Sequence, residues 1–134
     1  MKLLKIKKIY LLLLFPLVVA TQCEDDLPLS GFETEYLIQN DSSTDLILIT
    51  ESNQLMDINS QSSLQIGSSL NSETSAIIPS ESYLFGEINL YKLENENYVL
   101  VYSQNPIEDT QWVYTETSVN RYEYKLVITD DLLE

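Results

Sequence analysis

The stretch Thr21-Gln22-Cys23-Glu24-Asp25-Asp26 holds the chain's single thiol, with three carboxylates directly behind it. A cysteine acts as a nucleophile in its thiolate form, which a neighbouring base or cationic setting must favour. The 134 residues include no histidine, and Glu24, Asp25 and Asp26 would raise the thiol pKa rather than lower it. One cysteine cannot close an intramolecular disulfide either. Without histidine there is no Ser-His-Asp or Cys-His constellation, and a zinc site would have only carboxylates to draw on. Gly31, Gly67 and Gly86 stand alone, so no glycine-rich loop is present to cradle a phosphate. Asp130 and Asp131 lack the spaced Asp-x-Asp-x-Asp-Gly pattern of a calcium loop and read as solvated surface. Carboxylates this abundant will always supply some pair, so a glycosidase cannot be argued from their number. The expectation is a non-catalytic protein with no metal and no cofactor. The chemistry left to Cys23 is acylation.

What precedes the cysteine fits that chemistry. Lys2, Lys5, Lys7 and Lys8 lead into the apolar run Ile9–Ala20, and Pro16 lies inside it. Its twelve residues fall short of the roughly 20 needed to span a bilayer as a helix. Basic residues, an apolar run and small residues make the layout of an export signal. The segment Val18-Val19-Ala20-Thr21-Gln22-Cys23 resembles the lipobox of bacterial lipoproteins, with Ala20 and Thr21 at its small or aliphatic positions. Gln22 stands where Gly, Ala or Ser is usual, a departure similar to the relaxed lipoboxes of Bacteroidota-type lipoproteins. In that group an acidic run after the cysteine, as in Glu24, Asp25 and Asp26, resembles the signal for export to the outer face of the outer membrane.

The resemblance covers Met1 to Asp26. It implies a signal peptide over residues 1–22, a lipid anchor on Cys23, and a place on the outer membrane, surface-exposed or facing the periplasm. Each buried CH2 of an acyl chain contributes about 0.8 kcal/mol, so two or three chains hold a soluble domain without a spanning helix. Residues 23–31, with acids, Pro28 and Gly31, read as an acidic tether.

Charge narrows the partners. All 21 acidic residues lie beyond Cys23, against Lys92, Arg121 and Lys125, which gives the side chains of that part a charge of −18. A field of this sign repels phosphate backbones and anionic lipid heads, so nucleic acid is excluded as a partner.

The elements that would carry a binding surface lie in residues 32–134, and their pattern is β. The runs Thr34–Asn40 and Asp45–Thr50, separated by polar turn residues, read as paired strands. In Asn97–Ser103, Tyr98, Leu100 and Tyr102 alternate with Val99 and Val101. In Arg121–Asp130, Tyr122, Tyr124, Leu126 and Ile128 share one face, leaving Glu123, Lys125 and Thr129 on a wet one. Further strands are expected around Ala76–Ile78, Tyr83–Tyr91 and Trp112–Tyr114. The Ser/Asn/Gln-rich stretch 52–75 reads as a long loop or weak hairpin, with room for a helical turn near Leu55–Ile58. Turn signals every 8–12 residues or so set the rhythm of an immunoglobulin-like antiparallel β-sandwich of about seven strands. The segment Val101–Glu134 is similar to the C-terminal part of small lipoproteins of the same bacterial group, which implies a β-sandwich ectodomain and brings no catalytic residues.

Eight tyrosines and Trp112 lie beyond the signal. Alternation assigns Tyr98, Tyr102, Tyr122 and Tyr124 to the core. Trp112 and Tyr114, close to the Asn105–Thr110 turn, are the candidate ligand-binding pair. Two functions follow as expectations. One is an interaction or accessory module that docks on an envelope protein, for example through a sheet edge. The other is a surface carbohydrate-binding module that uses Trp112 and exposed tyrosines to hold a glycan.

Overall fold

In the computed structural model of the protein, residues 31–71 and 75–133 are described. The signal peptide, Cys23, the acids Glu24, Asp25 and Asp26, and the tether up to residue 30 lie outside them. The described part is all β. Eight strands follow in order: β1 (Phe32–Asn40), β2 (Leu46–Ile49), β3 (Leu55–Ile58), β4 (Ser62–Asn71), β5 (Ile88–Glu94), β6 (Asn97–Gln104), β7 (Trp112–Ser118) and β8 (Arg121–Ile128). Two four-stranded sheets result, with orders β4-β1-β8-β7 and β3-β2-β5-β6. They pack as a sandwich. Among the described residues no helix is long and apolar enough to cross a membrane.

Period-two patterning selects the buried faces. Tyr36 and Ile38 of β1, Trp112 of β7, and Tyr124, Leu126 and Ile128 of β8 point inward from the first sheet. Leu46, Leu48, Ile58, Ile88, Leu90 and Val101 meet them from the second, and Ile107 closes the β6–β7 corner. Fully burying each such side chain contributes about 1.5–3 kcal/mol, which makes this layer the main source of stability.

The pairing departs from the sequence expectation in three places. First, β1 runs parallel to β8, Glu33 opposite Arg121 through Asn40 opposite Ile128, in a sandwich expected to be antiparallel. Second, β1 and β2 do not form a hairpin but lie in different sheets. The chain arches across the core at Asp41–Asp45, and side chains satisfy the polar groups there. Asn40 Nδ2 donates to the carbonyls of Thr44 (2.8 Å) and Ile58 (3.0 Å), while its Oδ1 accepts from the Ser42 amide (3.1 Å) and hydroxyl (2.6 Å). Asp130 fastens the arch from the far end of the chain, accepting from the Ser43 amide at 2.8 Å and its hydroxyl at 2.9 Å. Third, the Ser/Gln-rich stretch contains two strands in opposite sheets, β3 and the ten-residue β4. β4 pairs along the whole of β1, Phe32 opposite Asn71 through Asn40 opposite Ser62.

Smaller differences have local causes. Ala76–Ile78 forms no strand; it lies across β1, where the Ile77 amide donates to Thr34 Oγ1 and the Ile77 carbonyl accepts from the Tyr36 hydroxyl. In β6 the register shifts where Leu90 and Tyr91 face Tyr102 and Leu100, leaving Val101 as the extra residue of a bulge. The bulge resets the alternation. Tyr98 and Leu100 therefore face outward, while Val101 and Gln104 are buried and Tyr102 is partly so.

Candidate functional site

Six aromatic residues on the inner side of the first sheet, with Phe85 from the loop before β5, form one connected set. Phe32 stacks on Tyr122 (5.9 Å between ring centroids) and Tyr122 on Tyr114 (5.8 Å); Tyr114 meets Tyr124 at 5.2 Å and Tyr124 stacks on Tyr36 at 6.2 Å. Tyr36 and Phe85 both contact Trp112, at 6.5 and 5.7 Å. Burial changes steeply along this set. Trp112 is 6 % exposed and Tyr114 is 50 % exposed. The Trp112 indole Nε1 donates to Gln104 Oε1 at 3.2 Å, so both its ring and its polar edge are used internally. The two candidate residues thus share a strand, but only Tyr114 reaches solvent. A flat indole platform for a sugar is not present.

Burial pushes the phenols of Tyr36, Tyr102, Tyr114 and Tyr124 above their ordinary value. The hydrogen bond from Gln104 opposes the shift at Tyr102, whereas the charge of Glu116 adds to it at Tyr114. All four stay neutral at physiological pH and serve as hydrogen-bonding, apolar groups. Among the described residues no group of three or more Cys, Asp or Glu is arranged to hold a metal ion. Asp130, part of the acidic pair weighed for calcium, instead holds the Ser43 arch.

The outer faces of the two sheets are chemically unlike. Outward positions of the first are mixed, with Glu33, Glu35 and Gln39 on β1 and Glu123 and Lys125 on β8 interleaved with Leu37, Val127, Val113 and Leu70. On the second sheet, Ile47 of β2 lies opposite Tyr91 of β5, which lies opposite Leu100 of β6. Leu93 opposite Tyr98 extends this row on one side, and Ile49 opposite Leu55 on the other. Leu93 is 61 % exposed, Tyr98 49 % and Leu100 48 %. All four strands contribute to the patch, and such contiguous exposed apolar surface marks interaction sites. The sequence reading passed over it. The available signal was Leu46-Ile47-Leu48-Ile49, apolar at every position in a fold that buries one face of each strand.

Electrostatics around the patch is one-sided. The three basic side chains beyond Cys23 are all engaged within the domain. Lys125 Nζ lies 3.1 Å from Glu123 and Lys92 Nζ lies 3.8 Å from Glu94, while Arg121 pairs with Glu33. The carboxylates outnumber these bases and give the domain a net negative field.

No family model matches the chain, and no curated protein or solved structure matches it.

Proposed function

We propose that this chain is a lipid-anchored, non-catalytic protein of the cell envelope whose β-sandwich acts as an interaction module. The observation that carries the reading is the apolar outer face of the second sheet, to which all four of its strands contribute, in a domain of strong net negative charge. A monomeric soluble domain gains nothing from exposing Leu93, Tyr98 and Leu100 side by side; a docking domain gains contact area. The export-signal layout and the lone Cys23 with its acidic followers support the anchor. Outer-membrane placement rests on the same acidic run.

Two measurements on the full-length protein test the reading. Metabolic labelling with a fatty acid should mark the wild type and leave Cys23→Ala unlabelled, and the substituted chain should leave the membrane fraction. Chemical crosslinking of intact cells should then give a discrete protein adduct with the wild type and a weaker one with Cys23→Ala. Labelling that persists in Cys23→Ala would remove the anchor from the reading. An adduct pattern unaffected by loss of the anchor would remove the membrane context.

A further inference from the structure

β2 and β5 pair at only two positions, Ile47 with Tyr91 and Leu48 with Leu90, although β5 runs on to Glu94. Beyond Tyr91 the strands part. The opening between them is a depression of about 410 Å³, bordered by Asp45, Asp57 and Glu94, with Ile47 and Leu93 of the apolar patch on its margin. Lys92 also borders it, at the loose 3.8 Å distance from Glu94, so carboxylates outnumber ammonium groups there three to one. Asp45 and Asp57 are exposed; one Asp45 oxygen accepts from the Ser60 amide at 2.8 Å, which leaves the other to face the opening. A hydrophobic surface with a negative socket at its margin is thus laid out on one face of one sheet.

We infer that this face docks a second protein that presents apolar side chains flanked by at least one arginine or lysine. The apolar groups cover Tyr91, Leu93, Tyr98 and Leu100, and the basic side chain enters the socket among Asp45, Asp57 and Glu94. This rests on the interaction-module reading and names the surface and the partner's chemistry. Charge complementarity selects the occupant. A second copy of this chain would set another domain of net negative charge against these carboxylates, and its described bases, Lys92, Arg121 and Lys125, each lie beside a glutamate of their own domain. An anionic lipid surface would be repelled by the same carboxylates. A cationic rim on the partner speeds encounter, and the apolar centre holds the complex.

The test places a photocrosslinking amino acid in the full-length protein, in its own cells, at Tyr98 or, separately, at Thr115. Thr115 is exposed on the outer face of the first sheet. The expected result is one discrete adduct from position 98 and none from position 115. Peptide mapping of the adduct should find a partner segment in which apolar residues adjoin Lys or Arg. Neutralising the socket by Asp45→Asn with Glu94→Gln should lower the yield about five-fold, as lost charge pairs at a partly exposed rim do. An adduct of twice the chain's mass, a lipid adduct, a partner segment without a basic residue, or a yield indifferent to the two substitutions would each overturn the inference. A discrete protein adduct from position 115 alone would overturn this surface while sparing the interaction reading. No adduct from either position would overturn both.

Discussion

Trp112 and Gln104 join the two sheets by a buried hydrogen bond, indole Nε1 to amide Oε1 at 3.2 Å, with 6 % and 3 % of their surfaces exposed. Gln104 also donates from Nε2 to the Tyr102 hydroxyl (2.8 Å) and to Gln111 Oε1 (3.0 Å), and Tyr102 donates to the same Gln111 oxygen at 2.8 Å. One side chain thus satisfies β7, β6 and the loop between them. Gln104→Ala leaves the indole donor buried without a partner, which costs about 2–3 kcal/mol. Trp112 is the only tryptophan, so urea unfolding followed by its emission reads the loss directly. The wild-type emission should be blue-shifted, as for an indole out of water. An unchanged midpoint in Gln104→Ala would mean the network contributes no net stability.

Asn40 should be the costliest polar residue to remove from the arch at Asp41–Asp45. It is fully buried, and both its amide nitrogen and its oxygen make two hydrogen bonds. Asn40→Ala strands the Ser42 amide and takes a donor from the Ile58 and Thr44 carbonyls, of which Thr44 keeps the Ser42 hydroxyl at 3.1 Å, with an expected loss of about 2–4 kcal/mol. Ser43→Ala removes only an exposed hydroxyl bond to Asp130 and should cost under about 1 kcal/mol. Comparing the two denaturation midpoints checks the contrast.

How far the sequence revealed this fold depends on the kind of information each element carries. The alternation of Tyr124, Leu126 and Ile128 is local and names their buried face correctly. It says nothing about partners, so an arch across the core and a hairpin look alike around Asn40. β4 is hidden for a related reason. Its side chains are mostly serine and glutamine, and it is a strand because β1 supplies a ladder along its length. The bulge at Val101 is invisible to a period-two reading, which therefore placed Tyr98 and Leu100 in the core. The apolar outer face of the second sheet was lost with them, since its central residues had been assigned inward. Trp112 illustrates the converse: nothing in its neighbours announces that Gln104, eight residues earlier, would satisfy its indole inside the sandwich.

The β5–β6 hairpin offers a gain in stability. Glu94 pairs with Asn97, leaving the two-residue turn Asn95–Glu96 with φ of 50° and 64°. Both residues of such a turn need the left-handed region, which suits asparagine and burdens glutamate. Glu96→Gly removes that strain, about 1–2 kcal/mol, against an entropic cost of about 0.5–1 kcal/mol, so a net gain of roughly 0.5–1 kcal/mol is expected. Thermal unfolding should show a rise of about 2–8 °C for a domain of this size. A fall would mean the Glu96 side chain contributes something its exposure does not suggest.

Stability should decline in alkali. Burial raises the phenol pKa values of Tyr36 and Tyr124 in the folded protein, above the ordinary 10.0 of the unfolded chain. Below that pH both states keep their protons and the phenols impose no penalty. Above it the unfolded chain ionises first, so native stability falls as pH rises through 10 towards the folded values. An ultraviolet titration should show a late fraction of the tyrosines that titrates together with unfolding. Tyrosines that all titrate early in a still-folded protein would contradict the packing described for Tyr36.

The apolar face of the second sheet should be separable from the fold. Leu93 and Leu100 lie on outward positions, at 61 % and 48 % exposure, so their truncation opens no cavity in the core. Leu93→Thr with Leu100→Thr introduces β-branched residues suited to a strand while removing most of the apolar contact. Surface substitutions of this kind cost about 0.5 kcal/mol or less each, so the unfolding midpoint should scarcely move. Docking should respond far more strongly, because contacts at the centre of an interface carry a disproportionate share of its affinity. We expect the crosslinked adduct from position 98 to fall at least about ten-fold in the double variant, equivalent to roughly 1.4 kcal/mol. A stable fold with an undiminished adduct would locate the interaction elsewhere on the domain. A variant that unfolds would show instead that Leu93 and Leu100 support the β5–β6 hairpin, and the exposed patch would then owe its composition to strand pairing rather than to a partner.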